Sequence, residues 1–148
     1  MGESLSAVAP EDRDLRILLG EARTIAVVGL SSKPDRPSHV VAEYMQEHGN
    51  RIVPVNPRET EVLGERAYPS LLDIPSEIHV DIVDVFRRAE ATPDVARDAV
   101  AIDARVLWLQ EGIVNEEARR IASNAGLEVI MGICIKKVHE RLEREGGI

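Results

Sequence analysis

The side chains best suited to chemistry in this chain are ones that hold anions. The stretch Gly29-Leu30-Ser31-Ser32-Lys33-Pro34-Asp35-Arg36-Pro37-Ser38 brings three hydroxyls, an ammonium and a guanidinium together in one short loop. Each of these groups donates hydrogen bonds, and Gly29 lets the backbone approach a bound oxyanion closely. A loop of this kind, running from a strand into a helix, also points N–H groups and the positive end of a helix dipole at the turn. An ordinary strand–helix connection is the plainer reading of the same pattern, but Lys33 and Arg36 favour an anion site. Further cations follow at Arg58, in Asn56-Pro57-Arg58, and at Arg87 and Arg88 behind Phe86.

Other reactive types are less organised. His39, His48, His79 and His139 show no metal-ligand spacing, and no serine stands in a nucleophile elbow. Asp84 sits inside an apolar run and reads as a hydrogen-bonded structural carboxylate. Cys134, at a helix start, reads either as a small core residue or as a thiol of lowered pKa. The sequence assigns no catalytic group and no metal site.

The elements that must position these residues alternate from end to end. Thr24–Leu30 is apolar and β-branched, as in a parallel strand covered on both faces. Ser38 is placed to cap a following helix whose apolar face is Val40, Val41, Tyr44 and Met45, with Gly49 as its stop. Further strands are expected at 51–55, 80–86, 105–110 and 127–131, and 62–68 reads as a short edge strand. Helices are expected from Pro10 through Ala22, from Thr92-Pro93 to Ile102, over 115–125 and over 133–145, the last with a Glu140–Arg144 pair. The sum is an α/β fold: a doubly wound parallel sheet of Rossmann type in a three-layer αβα arrangement, ordered 3-2-1-4-5-6 if 62–68 counts as a strand.

Composition bounds the rest. The chain has 148 residues, enough for one domain spanning 1–148, with 1–9 expected as a flexible terminus. A net charge of −8 argues against nucleic acid or an anionic membrane as partner, while allowing a small anion where cations converge. A single cysteine excludes an internal disulfide, and no apolar run approaches a membrane span. A cytoplasmic protein is expected. Met1-Gly2-Glu3-Ser4-Leu5-Ser6 fits the loose myristoylation pattern, unsupported by any basic residue.

In such folds ligands sit beyond the carboxyl ends of the strands. The loops there are 29–38, 56–58, 86–88, 110–113 and 131–134. The dinucleotide fingerprint G-x-G-x-x-G is absent, and Asn56-Pro57-Arg58 stands where an acid would bind a ribose 2′-hydroxyl. NAD is disfavoured; an arginine at that tip suits a phosphorylated ribose, leaving NADP or coenzyme A.

The segments IAVVGLSSKPDRPSHVVAEYM, IVPVNP, LGERAYPSL, VDIVDVFRR and WLQEGIVNEEA, taken in order from about Ala22 to His139, resemble the single-domain CoA-binding protein family. That family resembles the nucleotide-binding domain of the succinyl-CoA synthetase α subunit. The resemblance implies a Rossmann-like domain that binds coenzyme A or an acyl-CoA. By position, Gly29, Ser31, Ser32, Lys33, Arg36, Pro37 and Ser38 would meet the phosphates. Asn56, Pro57 and Arg58 would face the phosphorylated ribose or adenine, and Phe86, Arg87, Gln110, Gly112 and Ile113 would line the cleft towards the pantetheine. Where many relatives carry Asp-Arg before the cysteine, this chain has Gly132-Ile133. The synthetases' other domains have no counterpart here, so acyl-CoA synthesis by this chain alone is not expected. The alternatives are an NADP- or nucleotide-dependent enzyme on the same fold, and a protein that binds partners in response to CoA.

Overall fold

The computed structural model describes residues 10–148; the expected flexible terminus and the myristoylation pattern lie outside the described residues. In chain order the elements are α1 (Asp12–Glu21), β1 (Thr24–Val28), α2 (Pro37–Glu47), β2 (Arg51–Val55), β3 (Glu61–Val62), β4 (Glu65–Arg66), β5 (Ile82–Val85), α3 (Thr92–Ala101), β6 (Val106–Leu109), α4 (Glu116–Asn124), β7 (Glu128–Met131) and α5 (Ile135–Arg144).

Five strands form one parallel sheet in the order β2-β1-β5-β6-β7. β1, β5 and β6 are buried at every position, as continuous apolar runs require of strands covered on both faces. Alternate side chains of the sheet feed two cores. On one face Ile25, Val27, Ile82 and Trp108 pack against α1, α2 and α5; on the other, Ala26, Val83, Val85 and Leu107 pack against α3 and α4. This is the expected three-layer, Rossmann-like α/β architecture. Among the described residues no helix is long and apolar enough to cross a membrane.

The edge strand expected at 62–68 is different. Leu63 and Gly64 both have positive φ, +55° and +76°, so the chain turns back tightly and β3 pairs with β4 as a small antiparallel hairpin. Only Tyr68 reaches the main sheet, as a single parallel bridge to Val55. The spatial order is that of the expected sheet, with its outermost strand reduced to one residue.

Helix ends also differ from expectation. Thr92 is the first residue of α3, not its cap, and its hydroxyl donates to the Ala89 carbonyl. Asn115 does cap α4, accepting from the Ala118 N–H. On α5 the i, i+4 pairs are Lys136–Glu140 and Arg141–Glu145, not Glu140–Arg144. Between α2 and α5, Tyr44 Oη and His139 Nδ1 share a 2.8 Å hydrogen bond, and His48 stacks on the tyrosine ring.

Candidate functional site

The chain runs from β1 outward to β2, then returns to build β5, β6 and β7 on the other side of β1. Crossovers leaving β1 and β5 diverge to opposite faces of the sheet, which opens a crevice between their carboxyl ends. Gly29 and Phe86 flank that crevice. The Gly29 N–H donates to Val55 O and the Phe86 N–H to Val28 O, both at 2.8 Å. Gly29 has φ +88°, and a Cβ there would stand 2.5 Å from the Phe86 carbonyl oxygen. Both the conformation and the space exclude any side chain.

The loop beyond Gly29 is held by side chains. Ser31 N–H donates to Ser38 Oγ (3.0 Å), Lys33 N–H to Ser31 Oγ (3.1 Å), and Ser32 N–H to Glu59 Oε2 (3.0 Å). The expectation that Ser38 caps α2 therefore needs correction. The helix starts at Pro37, which needs no N–H partner, with Arg36 as the preceding cap residue and no side-chain cap bond. Ser38 is buried and braces the loop instead.

At the tip of β2, Asn56 has both ends of its amide engaged. Its Nδ2 donates to the Leu30 carbonyl at 3.0 Å, and its Oδ1 accepts from the Arg58 N–H at 2.9 Å. Asn56 thus clamps the β2 tip to the β1 loop and forms a tight turn. The turn continues as Glu59 N–H donates to Asn56 O, which brings Glu59 back over the loop. Pro57 lies apart, in a small cavity of about 90 Å³ with Val28, Val55, Leu71 and Arg87.

A cleft of about 470 Å³ opens beside Phe86. It is lined by Pro37 and Val41 of α2, Phe86 and Arg87 after β5, Gln110, Glu111 and Ile113 after β6, and Cys134 before α5. Its walls are largely apolar, with a few polar groups to orient a ligand, as small-molecule sites require. Glu111 and Cys134 also border a second cavity of about 510 Å³, which includes Leu15, Ile133, Lys137 and Arg141. Gly112 sets the sharp turn behind the cleft with φ +80°, and Ile113 N–H closes it on Gln110 O. Gly132 is likewise left-handed at φ +81°, while the carbonyl of Ile133 receives the indole N–H of Trp108 at 2.9 Å.

Beneath the cleft floor, Asp84 is buried with its neighbours in register, Val27 and Trp108, on either side. Gln110 Nε2 donates to Asp84 Oδ1, and Oδ2 has no partner among the described residues. Burial pushes the carboxyl pKa up to about 8, against the smaller opposing effect of the Gln110 bond. Asp84 is the hydrogen-bonded structural carboxyl the sequence suggests, and its burial favours the neutral form at pH 7.

The cations at this edge remain available. Among the described residues Lys33, Arg36, Arg58 and Arg87 form no salt bridge; Arg88 alone is paired, 4.0 Å from Glu90. Glu59, the sequence neighbour of Arg58, accepts the Ser32 N–H. The structure gathers Pro37, Phe86, Arg87, Gln110 and Ile113 around one cleft. It places Gly29, Ser31, Ser32, Lys33, Arg36, Asn56 and Arg58 in the adjoining loops. Glu59, Val41 and Glu111 join the site through the fold. Val41 was legible as part of the α2 apolar face and Glu111 lies inside the Trp-x-Gln-x-Gly segment, but nothing local marks the return of Glu59.

Comparison with known proteins adds what geometry alone does not. The sequence pattern of a family described as a CoA binding domain matches residues 23–140. An uncharacterized protein, YneT, of Bacillus subtilis is 47% identical over 130 residues, covering 88% of this chain and 95% of its own length. A hypothetical protein from Pyrococcus horikoshii OT3 has a solved structure with TM-score 0.89 and 38% identity, covering 97% of this chain and 99% of that one. The ADP-forming acetate–CoA ligase II subunit alpha of Pyrococcus furiosus is 41% identical over 64 residues, 43% of this chain and only 14% of the ligase subunit.

Proposed function

This chain belongs to the CoA binding domain family, and from that premise we propose that it binds coenzyme A or an acyl-CoA across the carboxyl edge of its sheet. The observation that carries the reading is the juxtaposition of a cleft of about 470 Å³ with four cations that have no carboxylate partner among the described residues. Coenzyme A is a long ligand with anionic groups at its nucleotide end and an uncharged pantetheine arm. The edge divides in the same way. Lys33 and Arg36 serve the pyrophosphate, and Arg58 at the β2 tip serves the 3′-phosphate. Val41, Phe86 and Ile113 give the arm apolar surface, with Gln110 and Arg87 as polar contacts. The thiol end then runs towards Cys134. The function proposed is binding rather than turnover.

A panel of thermal melts with coenzyme A, acetyl-CoA, dephospho-CoA, NADP and ATP tests this. A ligand bound only by the folded chain stabilises it by about 2.7 kcal/mol at a hundredfold excess over Kd. Coenzyme A or its acetyl form should give the largest shift. A larger shift with NADP or ATP overturns the assignment.

A further inference from the structure

Glu59 is a carboxylate where a phosphate-binding edge would be expected to avoid one. Its Oε2 accepts the Ser32 N–H at 3.0 Å, across 27 residues of sequence, so it is drawn in from another loop. Its Oε1 has no hydrogen-bond partner among the described residues. Its neighbour Arg58 is anchored through its own N–H to Asn56 Oδ1, and Asn56 in turn is tied to the β1 loop through Leu30. Hydrogen bonds therefore hold the Glu59 carboxylate against the β1 loop and the Arg58 backbone in the turn beside it.

In dinucleotide-binding sheets an acid near this tip accepts the adenosine ribose 2′-hydroxyl, and a 2′-phosphate is accommodated by arginine instead. The strand end of this chain lacks that acid, but the turn after it brings Glu59 onto the adjoining β1 loop. Resting on the CoA-binding reading, we propose that Glu59 is a specificity-determining residue: its carboxylate accepts the free ribose 2′-hydroxyl of an adenosine 3′-phosphate and repels an adenosine 2′-phosphate. The hydroxyl proton points at Oε1 while Oε2 keeps its Ser32 bond. The phosphate on the neighbouring 3′-oxygen falls to Arg58. Discrimination is then partly repulsive, built against the wrong isomer as much as for the right one.

Titration calorimetry on the whole chain with adenosine 3′,5′-bisphosphate, adenosine 2′,5′-bisphosphate and coenzyme A tests this. Wild type should prefer the 3′,5′ isomer by about tenfold or more, since like charges brought together are costly. Glu59→Gln should narrow that preference by roughly tenfold, mainly by tighter binding of the 2′,5′ isomer. Equal changes for both isomers would mean that Glu59 only orders the loop, and would overturn the inference while leaving the CoA reading intact. A wild type that binds both isomers equally also overturns it. Failure of all three ligands to bind wild type removes the CoA reading and this inference together. A test independent of any variant uses 2′-deoxyadenosine 3′,5′-bisphosphate on wild type. Losing a hydrogen bond to a charged acceptor should weaken it by about tenfold or more, and undiminished binding overturns the proposal.

Discussion

Arg36 closes the β1 loop with its carbonyl, which accepts the His39 and Val40 N–H groups, and leaves its guanidinium exposed and without an ion pair among the described residues. Removing that side chain should therefore spare the fold and strike the ligand. Arg36→Ala is expected to weaken coenzyme A by roughly 1.5–3 kcal/mol, the range for a charge-assisted hydrogen bond, or about one to two decades in Kd. Arg58→Ala should instead shrink the preference for coenzyme A over dephospho-CoA; calorimetry on both variants separates the two roles. Cys134 is half-buried and lines the cleft. Its thiolate can attack coenzyme A disulfide, forming a protein–CoA mixed disulfide and releasing one coenzyme A thiol. Intact-mass spectrometry should find one CoA adduct at Cys134, lost in Cys134→Ser; an unmodified native protein would leave Cys134 as a core residue. What sequence could show at this scale was residue type. Asn56 and Ser38 are recognisable as polar loop residues, but their partners, Leu30 O and the Ser31 N–H, are contacts that only the fold creates.

At the scale of elements, the α2–α5 contact carries a pH response. Burial and the neighbouring His48 hold the His139 pKa below its ordinary value, outweighing Glu143 and Glu140. The unfolded chain protonates His139 near pH 6.5 and the folded chain only at lower pH. Stability should thus be intact above pH 6.5 and decline as pH falls through it. Urea unfolding from pH 7.5 to 5 should show this fall, and His139→Gln, which can still bond to Tyr44, should flatten it. An equal slope in both proteins would clear His139 of the effect. Strands and helices were largely legible because burial on two faces demands unbroken β-branched runs, and packing on one face demands 3.6-residue periodicity. The hairpin at 61–66 was not, because Leu63 adopts φ +55°, a conformation its residue type does not advertise.

At the scale of the whole molecule, one carboxyl among the described residues is held inside the core. Asp84 titrates near 3.8 when unfolded and at about 8 when folded. Its contribution is complete below pH 4 and is lost as pH rises towards 8, at up to about 1.4 kcal/mol per pH unit. Asp84→Asn keeps an acceptor for Gln110 but cannot ionise, so its unfolding free energy should vary less between pH 4 and 8. Unchanged curves by chemical denaturation would show that Asp84 ionises freely in the fold. The apolar surroundings of Asp84 in Ile82–Val85 made its burial readable, whereas its pairing with Gln110 required the β5–β6 register.

The single bridge at Tyr68 has a consequence for how copies of this protein meet one another. In a parallel strand the residues facing outward alternate, and on β2 those are Ile52, Pro54 and Asn56, since Arg51 and Val55 bond towards β1. Pro54 has no N–H, its carbonyl is taken by the Tyr68 N–H, and the Asn56 N–H is taken by the Tyr68 carbonyl. Ile52 alone is left to offer a pair of backbone groups. A foreign strand approaching this margin finds too little ladder to grip, so the aborted sixth strand guards the β2 edge against strand-to-strand association at concentrations where a bare β2 would invite it.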